Sequence, residues 1–442
     1  MLLIGNGRLI TRDAAEPYFE NGAVLIDDDK IKQVGSFDQL KKDFPNAEVI
    51  DAGGKIIMPG FVNTHEHIYS AFARGMALDG KPNTNFLEIL DGLWWRLDKA
   101  LTPEDIKYSA YMTLLDGVRY GVTTVYDHHA SPNAASGSLF TIADVAKEIG
   151  IRASLCYEVS DRDGKDITKL GIKENMDFIK YANKGDQDML RGMFGLHAAF
   201  TLDDESLGWC AEEMAGNNAG FHVHIAEGID DVWINQNKYG KRVVERLDDF
   251  GILGAESLAI HCIYIAKYEL DILKRNKTNV VHNPESNMGN AVGCSPVIKM
   301  MSEGLRVGLG TDGYTHDIME SVKVASIIHK HHLANPTVGW SEVPQMAYEN
   351  NPAIVKQHFG IETGVLKEGA KGDVIIVEYD PRTPFNENTV NSHILFGMMG
   401  KSVTDTIING KVIMRNRKIL TVDEEKIFAE SRKVSQKLWD RA

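Results

Sequence analysis

Only four of the 442 residues are cysteines, Cys156, Cys210, Cys262 and Cys294, and no two of them form a Cys-x-x-Cys pair. That excludes a disulfide framework and a zinc knuckle. No apolar run approaches the ~20 residues that a membrane-spanning helix needs. Basic residues are the minority, 48 Lys and Arg against 62 Asp and Glu, and the formal net charge is -14. Such a surface argues against nucleic acid or an anionic membrane as partner. No Gly-x-Gly-x-x-Gly follows the first strand of the central region, and the Gly308 and Gly310 pair sits on its last strand, so a dinucleotide-binding fold is not indicated. Neither an arginine cluster nor a glycine-rich cradle for phosphate is visible. The opening Met-Leu-Leu-Ile-Gly-Asn-Gly carries no basic segment and no long apolar one, so a cytoplasmic location is expected.

What is present divides the chain in three. Residues 1–57 alternate short apolar runs with Gly, Asn and Asp turns, as at Leu2–Ile4, Gly22–Ile26 and Ile31–Val34, which is β-structure. The end of the chain returns to that style. There the Asn409-Gly410 pair between two apolar runs is a strong hairpin signal. Residues 1–57 and 365–442 are therefore expected to form one composite β-sandwich domain, with a helix over Asp423–Trp439. Between them, 58–364 alternates strands with amphipathic helices such as Pro103–Tyr120 and Lys241–Phe250. The candidate strands are Gly60–Asn63, Thr123–Tyr126, Ala153–Tyr157, Gly192–Leu196, Gly220–His224, Leu258–His261, Asn279–His282 and Arg306–Gly310. Eight such units predict an α/β fold, a (β/α)8 TIM barrel. With 43% hydrophobic residues, one large and one small domain can each fill a core.

Catalytic groups of such barrels sit at the C-terminal ends of the strands, and that is where the histidines fall. His65 and His67 end the first strand; at i and i+2 on an extended backbone both point to one face and can grip a single ion. Asp127, His128 and His129 end the second strand, His197 the fourth, His224 with Glu227 the fifth, His261 the sixth, His282 the seventh and Asp312 the eighth.

These motifs resemble the amidohydrolase superfamily in its metal-dependent aminohydrolase (ATZ/TRZ-like deaminase) branch. The matching segments are Pro-Gly-Phe-Val-Asn-Thr-His-Glu-His ending at His67, Gly-Val-Thr-Thr, His224-Ile-Ala-Glu227, His261-Cys262, His282-Asn-Pro-Glu-Ser-Asn-Met and Gly310-Thr-Asp312-Gly. The Asp127-His-His-Ala-Ser-Pro run looks most like the SsnA-like bacterial aminohydrolases. The resemblance implies that His65, His67, His224 and Asp312 bind one divalent metal, Zn2+ with Fe2+ as the alternative, a donor set that suits either ion. It implies that the ion lowers the pKa of a bound water, that Asp312 accepts the water proton, and that His261 holds the attacking or developing oxygen. Glu227 would protonate a ring nitrogen and then the leaving amine. No lysine stands in place of His197, so the bridging lysine of two-metal relatives is absent. Arg74, Asp127, His128, His129, His197 and His282 are the candidate substrate contacts.

Blander readings stand beside these. His128 and His129 divide between pocket wall and structure, and His222 between support of the ligands and core packing. Trp94 and Trp95 divide between a cap on the pocket and, by preference, core packing; Cys262 reads as a small buried residue, and the His329-Lys-His-His332 run as a solvated helix face. Three departures from the nucleoside-type relatives affect the substrate. These are the Asp79–Asn85 loop, the Tyr314-Thr-His-Asp317 run and the Met288-Gly-Asn290 segment. The expectation is hydrolysis of a carbon–nitrogen bond of a small heterocycle, foremost deamination of a planar, purine-like base with ammonia release, and not of a nucleoside or nucleotide. Ring opening of a cyclic amide or amidine is the alternative, and an inactive binding or assembly scaffold the remote one. Nucleic acid and membrane are not expected as partners; a homo-oligomer, dimer or larger, is.

Overall fold

The computed structural model describes residues 1–76, 82–184 and 188–442. At its centre, the strand Phe61–Glu66 pairs in parallel with Val122–His129, which pairs with Arg152–Tyr157 and then with Leu190–Gly192. A second parallel run goes from Phe194–Ala198 through Phe221–Ile225, Leu258–His261 and Asn279–His282 to Val307–Leu309. The fourth strand is thus broken at Met193, and bridges at Val159–Leu196 and Glu66–Asp312 join the two runs. The Thr64 hydroxyl donates to the Leu309 carbonyl (3.1 Å) and the Thr311 and Asp312 amides to His65 O (3.0 Å each). The sheet therefore closes into an eight-unit barrel with parallel strands, whose buried faces explain the near-continuous apolar runs. Gly310 makes this closure possible: a Cβ there would stand 2.4 Å from Asn283 Oδ1 and 2.9 Å from the His65 Cβ.

Both ends of the chain build the second body. Val374–Val377 lies hydrogen-bonded between Ile56–Pro59 and Val403–Ile408. The nine-stranded sheet continues on one side through Leu2–Ile10, Tyr18–Asp27 and Lys30–Ser36, with Glu48–Asp51 beside the first of these. On the other side it runs to the hairpin Lys411–Arg415 and Lys418–Ile419. Its core joins Ile4, Val24 and Ile57 from one end of the chain to Val374, Ile376 and Ile407 from the other. The final helix, Glu424–Trp439, leaves the sheet and packs on the barrel helix Pro103–Arg119. No helix among the described residues is long and apolar enough to cross a membrane.

Candidate metal centre and active site

The ends of the first, fifth and eighth strands bring four side chains together. His67 Nδ1 donates to the His128 carbonyl (2.6 Å) and His224 Nδ1 to the His197 carbonyl (2.8 Å). A carbonyl only accepts, so in each neutral ring the Nε2 is left with a bare lone pair. Those two Nε2 atoms face one another at 3.3 Å. His65 Nε2 is buried without a hydrogen-bond partner, 3.8 Å from Asp312 Oδ2, and Asp312 Oδ1 lies 3.5 Å from His67 Nε2. Lone pairs converging in a dry cavity repel unless a cation stands between them. Three imidazoles and one carboxylate thus fit a divalent ion. Burial first, and then the neighbouring imidazoles, push His65 and His224 far below the ordinary histidine range, which keeps them neutral and able to ligate. His222 stands behind the centre, its Nε2 2.9 Å from His65 Nδ1, where it sets the orientation of that ring.

The backbone is bent to present these groups. Asp312 has φ +56°, His261 +69°, Cys262 +50° and Ala226 +48°. Left-handed non-glycine residues cost about 1–3 kcal/mol each and collect where function holds them.

Around the centre lie the groups that can move protons. Glu227 is fully enclosed; burial first, then the Asp312 carboxylate, raise its pKa well above the ordinary range, while Asn290 Nδ2 donates to its Oε1 (3.3 Å). His261 Nε2 lies 3.4 Å from both Glu227 Oε2 and Asp312 Oδ2, and its Nδ1 is 2.7 Å from Asn287 Oδ1. It stands between the two carboxyl groups, near each but hydrogen-bonded to neither.

Trp94, Trp95, Phe86 and Leu90 close the pocket from outside, and Tyr69 and Ser70 form another wall. The tryptophans thus line the site, the role that the sequence offers beside its preferred reading of core packing. They sit on the segment Phe86–Ala100, whose α-helical turns flank a π-helical one at Leu90–Trp94, and Asn85 caps its start (Glu88 N to Oδ1, 3.0 Å). The free space left is about 40 Å3, close to the ~30 Å3 share of one water. That space is smaller than a heterocyclic ring. Of the Asp79–Asn85 loop, residues 79–81 lie outside the described residues.

The candidate substrate contacts separate into two groups. His197 lines the pocket, its Nδ1 held by Thr201 Oγ1 (2.8 Å). The other five do not. Arg74 lies outside this pocket: its side chain is 66% exposed on the far side of the 3-10 helix Ile68–Ala73 and pairs with Asp116 (3.1 Å). Asp127 is buried below the pocket and accepts the Ile68 amide (2.8 Å). His128 Nε2 donates to the His222 carbonyl (3.0 Å), so the ring packs behind His65 and His224. His129, alternating to the opposite face, reaches Ser131 Oγ (2.9 Å). His282 is turned away, with its Nε2 3.1 Å from His329 Nε2. His329 is accordingly no solvated residue: it is buried between His282 and Cys294, whose Sγ lies 3.5 Å from its Nδ1.

Glu158 is the residue that sequence reasoning passes over. One position beyond the third strand, it enters the pocket with Oε1 3.7 Å from His197 Nε2 and Oε2 3.2 Å from His128 Nδ1. Burial raises its carboxyl pKa, but the neighbouring His197 and His128 rings outweigh that and hold it below the ordinary range. The only available signal was an acid immediately after an apolar strand, Cys156-Tyr-Glu158.

A model of the amidohydrolase family matches residues 56–413, and one of an imidazolonepropionase-like composite domain of bacteria matches residues 22–47. The chain is 33% identical to a 5'-deoxyadenosine deaminase of Methanosarcina barkeri, an alignment spanning 100% of this chain and 99% of that protein. It is 32% identical to a 5-methylthioadenosine/S-adenosylhomocysteine deaminase of Thermococcus sibiricus, over 93% of this chain and 94% of the relative. Among solved structures, an adenosine deaminase from Xanthomonas campestris with bound zinc superposes with a TM-score of 0.85 at 22% identity, over 99% and 98% of the two chains.

Proposed function

This chain belongs to the amidohydrolase family, and from that membership we propose that it is a metal-dependent aminohydrolase that replaces the exocyclic amine of a planar amino-heterocycle with oxygen and releases ammonia. The observation that carries the reading is the Glu227–His261–Asp312 chain of proton-bearing groups beside the converging Nε2 atoms of His67 and His224. One divalent ion, zinc in this reading, is held by His65, His67, His224 and Asp312, and would supply Lewis-acid activation of water.

The remaining steps belong to the chain's own residues. Asp312 accepts the proton that water loses as its oxygen adds to the ring carbon. His261 Nε2, equidistant from both carboxyl groups, relays that proton towards Glu227. Glu227, kept neutral by burial, donates first to the adjacent ring nitrogen and then to the departing amine, so the carbon–nitrogen bond breaks to ammonia. Trp94, Trp95 and Phe86 exclude bulk water, and Glu158 accepts an N–H or O–H of the substrate on the opposite wall.

The preferred substrate is a purine-like base and not a nucleotide, since among the described residues no arginine or lysine lines the pocket to hold a phosphate. A nucleoside is the second reading, favoured by the relatives named for 5'-deoxyadenosine. A cytoplasmic homo-oligomer completes the proposal. The experiment is a coupled ammonia assay of the metal-loaded enzyme on purines, oxidised purines, pterins, pyrimidines, triazines and 5'-deoxyadenosine. Stoichiometric ammonia from a free base is the expected result. Turnover without ammonia would replace deamination by ring opening, and a higher kcat/KM for 5'-deoxyadenosine than for every base would replace the base by the nucleoside.

A further inference from the structure

One concentration of positive charge in this acidic chain lies outside the catalytic pocket. Between the barrel helix Pro103–Arg119 and the last helix Glu424–Trp439 runs a cleft with about 470 Å3 of free space, within the ~300–1,000 Å3 range of small-molecule sites. Arg74, Arg119, Arg417 and Arg432 line it, and Asp116 is the one carboxylate among the lining residues. In a protein of net charge -14, four guanidinium groups around one cavity focus a positive potential there.

These charges are incompletely satisfied. Arg74 takes Asp116, and Arg119 takes Glu424 (2.5 Å) while its buried Nε finds no hydrogen-bond partner. Arg417 donates to two carbonyls, Arg119 O (2.8 Å) and Val403 O (2.9 Å). Neither Arg417 nor Arg432 has a carboxylate partner among the described residues. Arg417 also occupies a turn position with φ +66°, after Asn416 at +48°. That hairpin geometry favours glycine second, so a guanidinium is placed at the cleft at a conformational cost. The walls beside the arginines are aromatic. Phe428 lies under Arg119 (5.8 Å from guanidinium to ring centre), and the Trp439 ring is fixed by its Nε1 donating to the Phe72 carbonyl (2.7 Å).

We propose that this cleft is a second ligand site for a small flat-ringed anion, of which a nucleoside monophosphate is the type: its anionic group meets Arg417 and Arg432, neither of which has a carboxylate partner among the described residues, and its ring lies against Trp439 and Phe428. Guanidinium forks match phosphate oxygens in pairs, and aromatic faces accept any base. The site is built to report to the catalytic pocket. Ala71 and Phe72 of the 3-10 helix Ile68–Ala73 line the cleft, while Tyr69 and Ser70 of the same turn line the pocket. His316, also at the cleft, stands 3.5 Å from Glu66, next to the ligand His67. Occupancy therefore stiffens residues 68–73 and acts as an effector signal.

The test uses metal-loaded full-length protein and needs no substrate. Binding of adenosine monophosphate, adenosine and inorganic pyrophosphate is measured by calorimetry on the parent protein, on Arg432→Glu and on Ser435→Glu. Both substitutions change outward-facing cleft residues remote from the metal centre. The expected outcome is saturable binding of the monophosphate, weakened about tenfold or more in each variant, as loss of one charge-assisted contact in Arg432→Glu and a like charge set against the anion in Ser435→Glu imply (~1.4 kcal/mol per decade). Slower hydrogen exchange over residues 68–73 when the monophosphate is bound is the second expected result. Equal affinity for adenosine, binding unchanged in both variants, or no binding at millimolar concentration overturns the site. Binding without altered exchange over 68–73 overturns its role as effector. A change of oligomeric state in Arg432→Glu without monophosphate binding reassigns the cleft to a contact between copies of the chain. Since every readout is binding or exchange, failure here leaves the proposed deamination untouched, and the converse holds.

Discussion

The C-terminal face of the barrel crowds unpartnered buried polar atoms around one point, whereas at the nine-stranded sheet such atoms, Arg152 Nη2 and Asn409 Oδ1 among them, are scattered beside paired groups. In the sheet, buried polar side chains hold the two bodies together. The Asp373 carboxylate accepts from the Arg152 guanidinium and from the Asn409 amide (2.7 Å), and the Thr406 hydroxyl donates to Val118 O (2.8 Å). At the barrel face, buried atoms on His65, Asp127, His129, Glu158, His261 and His282 find no hydrogen-bond partner. An unmet buried polar atom costs about 1–3 kcal/mol, so such a concentration is sustained by what binds there. One region secures the fold; the other is held ready at the expense of stability.

The largest expected effect would break the first half of that contrast. Deleting residues 365–442 removes Val374–Val377 from between two partner strands and leaves Arg152 buried without Asp373. Removing one partner of a buried ion pair costs ~3–5 kcal/mol by itself. Size-exclusion chromatography and circular dichroism should find no soluble folded barrel; a soluble, active truncation would show that the sheet is an appendage.

The other predictions probe the barrel face. His224→Ala and Asp312→Ala should each lower metal content from near one equivalent per chain towards zero by elemental analysis, since each takes one of four donors. Two equivalents in the parent protein would end the single-ion assignment. Glu227→Gln should retain the metal and the melting temperature but lose about 10^2–10^4 in kcat, the usual worth of general acid–base help. Turnover near that of the parent would remove Glu227 from the proton path. The smallest effect is expected for Glu158→Gln, a loss of roughly tenfold to a hundredfold in kcat/KM, as one charge-assisted hydrogen bond of ~1.5–3 kcal/mol implies. Metal content should stay constant; if it falls with the rate, Glu158 belongs among the ligands.

Periodicity and spacing made a good part of this molecule legible. The i, i+2 spacing of His65 and His67 places both on one face of a strand whatever the rest of the chain does. The alternation of strands and helices dictates a parallel sheet, and the polar residues at strand ends dictate where its chemistry lies. The return of hairpin-style sequence around Asn409 and Gly410 ties the two chain ends together through the same elementary pairing rules. These are local signals, carried by neighbours in the chain.

What only the tertiary structure decided concerns direction and distance. Asp127, His128 and His129 occupy a strand end as His65 and His67 do, yet the pleat and the barrel interior turn them beneath or beside the pocket. His329 looks solvated in a run of histidines but is buried against His282 because its helix face meets the seventh strand. Glu158 had no motif around it; its role comes from His128 and His197, which arrive from the second and fourth strands. The cationic cleft was invisible for the same reason, since Arg74, Arg119, Arg417 and Arg432 converge only after the last helix folds back on the barrel. Chain spacing determines which face a side chain takes; only closure of the barrel and docking of the chain ends determine what that face meets.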